Sequence, residues 1–372
     1  MLTGRARVLA AFSPEGTEEF PVLLPYLGIF VRDHREAISP IPWWRDAAAD
    51  VSTAVRVARH LLRRVPIDWM EAEPGPPRAW RQRHRAVWIR GRPFLEDVES
   101  GQRRLISREP PGGTCSLPRR PLIRGYEDLD RLLPPSSGAP SLSDGTYDRT
   151  RALVSALGRN YFLFASIGAP FWSAYGYLSF EGVLRGVVEQ AELLHALLER
   201  ITERALEAVR AYAAAGVDGV WVEECLTSAD ILSPMHFRRF ALPYTARLIE
   251  EIERSGMRAV YYFCGDGTDR LEDLIATGAT ALAFEESKKG FRVELEEVAE
   301  AVRGRCALLG NLDAVNVLER GDGGALRAAL ARQAAVGRRW RRFAFSLGSP
   351  VTALTPVSRV AEYVWRARAA GR

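Results

Sequence analysis

From residue 160 to the end of the chain, short apolar runs and amphipathic stretches follow one another in a fixed order. The runs at 161–167, 219–222, 259–263, 280–284, 307–309 and 343–345 are rich in β-branched, aromatic and small apolar residues, the composition of strands buried on both faces. Each stops abruptly at polar residues or glycine: Gly168, Glu223-Glu224-Cys225, Cys264-Gly265-Asp266, Glu285-Glu286, Gly310-Asn311 and Ser346 to Ser349. Between them the spacing predicts helices over 187–215, 234–255, 269–277, 293–303, 323–336 and 356–369. In the longest, Val188, Ala191, Leu194, Leu198, Ile201, Ala205, Val209 and Tyr212 share one side. Two more strands are expected before residue 160, at 20–31 and 65–70. They are separated by a helix over 46–64 whose Val51, Val55, Ala58, Leu61 and Leu62 recur mostly three or four apart. Strand, polar end and helix in repetition is parallel βα winding, and eight strands predict a (β/α)8 TIM barrel formed as a single domain over residues 1–372.

One segment breaks the rhythm. Residues 86–108 alternate around Arg90-Gly91-Arg92 and Ser100-Gly101-Gln102, the pattern of antiparallel hairpins, and are expected as an insertion outside the barrel. Short helices are expected at 4–13, 126–133 and 147–157, with the turn-rich 134–145 as a boundary or cover.

Composition narrows the class. With 372 residues, 47% apolar, the chain can bury a large core. No stretch approaches the roughly 20 apolar residues of a membrane span, and the first residues lack a signal peptide's apolar region, so a cytoplasmic protein with no membrane partner is expected. Cys115, Cys225, Cys264 and Cys306 form no CxxC pair, which fits reduced thiols. Against 46 Asp+Glu stand 51 Lys+Arg, of which only Lys288 and Lys289 are lysine. The densest basic run, residues 338–342, reads as a solvated surface, and no nucleic-acid partner is inferred from it.

The chemistry collects at the strand ends. In a barrel, C-terminal strand ends converge on one mouth, where neighbouring carboxylates push each other's pKa values apart. Glu223, Tyr262 and Glu285 are the candidate catalytic groups, and Glu224, Asp266, Glu286, Asn311, Asp313 and Ser349 the candidate contacts to a small-molecule substrate. Successive strand residues face opposite ways, so only one of Glu223 and Glu224 should point inward. Asn311 and Asp313 have a second reading as caps of the next helix. Cys225 and Cys306 read as small buried apolar residues.

The order of several short motifs resembles the uroporphyrinogen decarboxylase superfamily. These are Gly168-Ala169-Pro170, Ala215-Gly216-Val217-Asp218-Gly219, Leu232-Ser233-Pro234 with Phe237, Phe240 and Pro243-Tyr244, Cys264-Gly265, Gly310-Asn311-Leu312-Asp313, and Gly348 with Thr355-Pro356. The resemblance covers about residues 147–372. It implies a (β/α)8 barrel enzyme: either a decarboxylase or a zinc-dependent methyltransferase that exchanges methyl groups with a corrinoid carried by a partner protein. The decarboxylase's arginine-rich N-terminal signature has no counterpart in residues 20–45, and its last strand-end histidine falls on Ser349. Of the methyltransferases' His-x-Cys pair and later Cys, Tyr262 and Ser349 replace two and Cys264 remains. Glu285 stands where the distantly similar cobalamin-independent methionine synthase adds a glutamate, so Cys264 and Glu285 are the candidate zinc ligands. The resemblance therefore implies methyl transfer between a small substrate and a thiol or corrinoid carrier. A lyase or decarboxylase acting on a small acid and a non-catalytic ligand-binding barrel are the alternatives. A homodimer is also expected, because the superfamily often dimerises and Phe30, Trp43, Trp44, Trp69, Trp80 and Trp88 could supply an apolar patch.

Overall fold

The computed structural model describes residues 2–113, 116–136, 142–288 and 290–371. Cys115, Lys289 and part of the 134–145 segment lie outside the described residues. A parallel sheet runs in the order β1 (Trp69–Glu71), β5 (Phe162–Gly168), β6 (Gly219–Glu224), β7 (Arg258–Phe263), β8 (Ala281–Phe284), β9 (Ala307–Leu309) and β10 (Phe343–Ala344). Neighbours in space follow neighbours in sequence, as βα winding dictates.

The ring is closed by the first expected strand, which is much shorter than residues 20–31. Val22 forms a parallel bridge to Phe345, the Leu23 N–H donates to the Phe345 carbonyl at 2.8 Å, and Asp68 N–H donates to the Val22 carbonyl at 3.0 Å. Pro21 and Pro25 lack the N–H groups a longer ladder needs, so pairing stops there. The apolar run after Pro25 then turns helical over Leu27–Asp33.

Helices cover the outside. Val51–Arg64 starts where the Asp50 carboxylate accepts the Thr53 N–H at 2.6 Å, and it buries Val57, Ala58, Leu61 and Leu62. The single helix expected over 187–215 is two helices, Pro170–Glu189 and Ala191–Ala215, broken where Gln190 leaves helical geometry at φ −137°. Pro170 at the first turn starts the former.

The inserted segment is antiparallel as expected. β2 (His84–Ile89), β3 (Arg92–Asp97) and β4 (Arg103–Leu105) form their own sheet outside the barrel, in the order β2-β3-β4. Of the six aromatic residues that could have formed one patch, Phe30 and Trp69 belong to the core. Trp44 leans on the exposed Trp88. No described helix is long and apolar enough to cross a membrane.

Candidate functional site

Strand periodicity decides what faces the barrel axis. On β6, Trp221 stacks on Tyr262 of β7 with ring centroids 4.8 Å apart and approaches Trp69 of β1 at 5.8 Å, so these rings fill the interior. Glu223, two residues on, pairs in register with Tyr262 and continues the same face to the mouth. Its Oε1 accepts the Tyr26 hydroxyl at 2.9 Å and the Cys225 thiol at 3.4 Å.

Glu224, expected as a substrate contact, points the other way. It is completely buried, taking the Thr245 and Tyr261 hydroxyls on Oε2 at 3.3 and 3.4 Å, and Thr245 belongs to the covering helix Leu242–Arg254. Burial pushes its carboxyl up to about 8.

β7 ends one residue before Cys264. Gly265 then adopts φ +87°, which lets the backbone turn and aims its N–H at Glu285 Oε2, 2.9 Å away. The other oxygen of Glu285 is 2.7 Å from Lys288 Nζ. Lys288 also lies 3.5 Å from Glu286 Oε1 and hydrogen-bonds the Ser349 hydroxyl, which itself donates to Glu286 Oε2 at 2.7 Å. Burial pulls the Lys288 ammonium down, but the Glu285 hydrogen bond and the charges of Glu286 and Glu285 outweigh it and hold it above the usual lysine range. Glu285, Glu286 and Ser349, expected as separate contacts, thus form one network around a lysine that was not singled out.

Tyr262 is nearly inaccessible, and its hydroxyl donates to the Gly348 carbonyl at 2.8 Å while standing 3.8 Å from Cys264 Sγ. It ties the last strand-end loop to β7. Burial pushes its phenol well above the ordinary range. Cys225, whose thiol donates to Glu223, is also pushed up, first by hydrogen bonding with the neighbouring Cys264 thiol and then by burial.

Three of the expected substrate contacts hold neighbouring loops and helix starts. The Asn311 amide donates to the carbonyls of Glu285 and Val293 at 3.2 and 3.1 Å. Asp313 accepts the Val315 and Asn316 N–H groups, the capping role that its position allowed. Asp266 holds Thr268 through its N–H at 3.0 Å and its hydroxyl at 2.6 Å.

Sequence reasoning also missed the carboxylates that leave β1. Glu71 Oε1 accepts the Ser166 hydroxyl at 3.1 Å, and Glu73 Oε1 accepts the Ser166 N–H at 2.6 Å. Burial raises both; Glu73, beside the charge of Glu71, reaches about 7. Trp69, Glu71 and Glu73 alternate, so one face of β1 and its exit carries ring, acid, acid. That signal was present in the sequence.

These donors do not fit a zinc ion. Both oxygens of Glu285 are engaged, one by an ammonium, and among the described residues no three His, Cys, Asp or Glu side chains are placed to hold a metal.

Residues 109–370 match the family model for uroporphyrinogen decarboxylase (URO-D). The uroporphyrinogen decarboxylase of Xanthomonas axonopodis pv. citri is 35% identical over 125 residues, 33% of this chain and 33% of that one. That of Anaeromyxobacter sp. is 27% identical over 247 residues, 64% of this chain and 66% of that one. The chain thus spans about a third of the length of the first of these relatives. Among solved structures, a methyltransferase from Methanosarcina mazei superimposes with a TM-score of 0.70 over 99% of both chains at 17% identity, a likeness of fold. With most of its length matched by that one family model, the chain belongs to the uroporphyrinogen decarboxylase family.

Proposed function

We propose that the barrel mouth transfers a methyl group between a small substrate and a thiol or corrinoid carrier. The observation that carries this reading is Glu223. Its carboxylate is oriented by Tyr26 and already accepts a thiol hydrogen bond from Cys225, the contact a substrate thiol needs in order to lose its proton. The thiol proton would pass to Glu223 as sulfur attacks the methyl carbon and the methyl's bond to its carrier breaks. Five carboxylates (Glu71, Glu73, Glu223, Glu285 and Glu286) surround this mouth and Lys288 offsets only part of that charge, which favours a neutral or cationic methyl donor over a polyanion. The Methanosarcina mazei protein of like fold is a methyltransferase, which agrees with the reaction class.

The test is incubation with methylcobalamin and 2-mercaptoethanol, following loss of the methyl–cobalt absorption and appearance of the methyl thioether by mass spectrometry. Glu223→Gln should slow thioether formation by about a hundredfold. No thioether above an enzyme-free blank sinks the reading.

Decarboxylation is the second reading, favoured by Glu73. A carboxyl titrating near 7 can deliver a proton to a carbanion at neutral pH, and the curated relatives bear a decarboxylase name. Release of CO2 from a small acid, lost in Glu73→Gln, would select it.

A further inference from the structure

A cavity of about 180 Å3 is bounded by the helices Leu27–Asp33, Val51–Arg64 and Asp148–Leu157 and by the exit of β1. Its apolar wall includes Leu27, Val57, Met70 and Leu153, and its polar end holds Glu71 and Arg149. The space equals roughly six water volumes, room for a short-chain acid but not for a large polyacid.

The other charged groups on the wall are already matched. Arg35 grips both oxygens of Asp46 at 2.8 and 3.0 Å, Arg32 holds Asp33 and Glu109 at 2.9 and 3.1 Å, and Asp50 caps its helix. Arg149 differs from them. Among the described residues nothing hydrogen-bonds its side chain or comes within ion-pair distance of it; the charges of Asp46, Glu71 and Glu73 act on it only from farther off, and its Nε is buried without a partner. Glu71 does not fill that role, because its oxygens are turned to the Gly28 N–H at 3.0 Å and the Ser166 hydroxyl at 3.1 Å. Burial also disfavours its charged form. The buried Nε donor of this half-buried guanidinium goes unused, and the planar fork suits a carboxylate.

We propose that this cavity binds a small aliphatic monocarboxylate, its carboxylate on Arg149 and its chain on Leu27, Val57, Met70 and Leu153. One unpaired guanidinium sets one carboxylate, and the wall sets an unbranched or lightly branched chain. The site stands apart from the methyl-transfer reading, since binding is measured without turnover. Either can fail while the other survives.

Isothermal titration of butyrate into the 372-residue chain should give saturable binding, and n-butylamine, equal in chain length but opposite in charge, should give none. Arg149→Gln should weaken butyrate by at least about tenfold. Ala54→Leu leaves Arg149 intact but fills the cavity from the helix Val51–Arg64, and should weaken it as much. Circular dichroism checks each variant's fold, and if Arg149→Gln does not fold, the butylamine comparison and Ala54→Leu decide. The proposal is overturned by a wild type that does not bind butyrate, by unchanged affinity in a folded Arg149→Gln or in Ala54→Leu, or by butylamine or inorganic phosphate binding as tightly as butyrate.

Discussion

Lys288 Nζ lies 2.7 Å from Glu285 Oε1, and the same ammonium joins Glu286 and Ser349, so a single cation organises the strand ends of β8 and β10. Its side chain is 26% exposed and the two glutamates are nearly buried, so removing the cation leaves two poorly solvated like charges side by side. Lys288→Met should lower unfolding free energy by about 1–3 kcal/mol, less than a fully buried pair would lose because water reaches the lysine. Adding Glu285→Gln should recover a good part of that loss. Urea titration of the single and double variants checks both, and additive losses would show that the pair is not coupled.

The same pairing sets the expected metal content. With Glu285 held by Lys288 and the Gly265 N–H, the expected Cys264–Glu285 pair is not free to take zinc, and no set of three ligands is assembled among the described residues. Elemental analysis of protein purified without chelator should find well below one zinc per chain. A stoichiometric zinc that disappears in Cys264→Ala would overturn this arrangement of the mouth.

Glu224 predicts a pH dependence of stability. Its folded carboxyl titrates at about 8, well above an unfolded glutamate, so between those values the folded state holds the extra proton. Stability then falls as pH rises from about 4.5 through 8, because the unfolded chain releases the proton more readily. Glu224→Gln resembles the protonated form and should flatten this part of the profile, gaining on the order of 3 kcal/mol over wild type at pH 9 and little at pH 5. Denaturation midpoints at both pH values check it, and parallel profiles for the two proteins would refute it.

The barrel was legible because its strands are short and apolar and each stops at a polar turn. Where proline removed the ladder, in residues 21–25, an apolar run no longer meant strand. Much of the candidate site was legible as a set of strand-end acids, since βα winding places them together whatever their individual roles. Their orientation was not. Glu223 and Glu224 differ by one residue, and only the register with Tyr262 shows which is inward. The roles of Lys288 and Arg149 were not legible because nothing local marks them: the first acts through loops that meet only in three dimensions, and the second matters through the partner its buried Nε lacks.

Gly265 is required by two separate constraints. At φ +87° a side chain is strained, and a Cβ built there would sit 2.6 Å from the Ser228 Cβ, an atom that cannot swing aside. Gly265→Ala should therefore destabilise the chain by about 1–3 kcal/mol and pull the Gly265 N–H off Glu285. Thermal unfolding measures the first effect. Wild-type stability in the variant would mean that the turn is looser than its geometry implies.

Tyr262 separates positioning from catalysis. Its hydroxyl spends its hydrogen on the Gly348 carbonyl at 2.8 Å, and its phenol, pushed upward by burial, does not ionise near neutrality. Tyr262→Phe keeps the ring stacked on Trp221 and removes this bond together with the acceptor that the Cys264 thiol meets at 3.8 Å, leaving a buried carbonyl short of a donor. The expected loss is about 1–2 kcal/mol of stability, with the thioether-forming rate reduced less than about threefold. Glu223→Gln should do the reverse, sparing stability and removing turnover, because the Glu223 carboxylate accepts a thiol hydrogen whereas the Tyr262 hydroxyl gives its own hydrogen to a backbone carbonyl. Measuring unfolding and turnover for both variants in one preparation decides the matter. A hundredfold loss of turnover in a stable Tyr262→Phe would give the phenol back a role in the reaction.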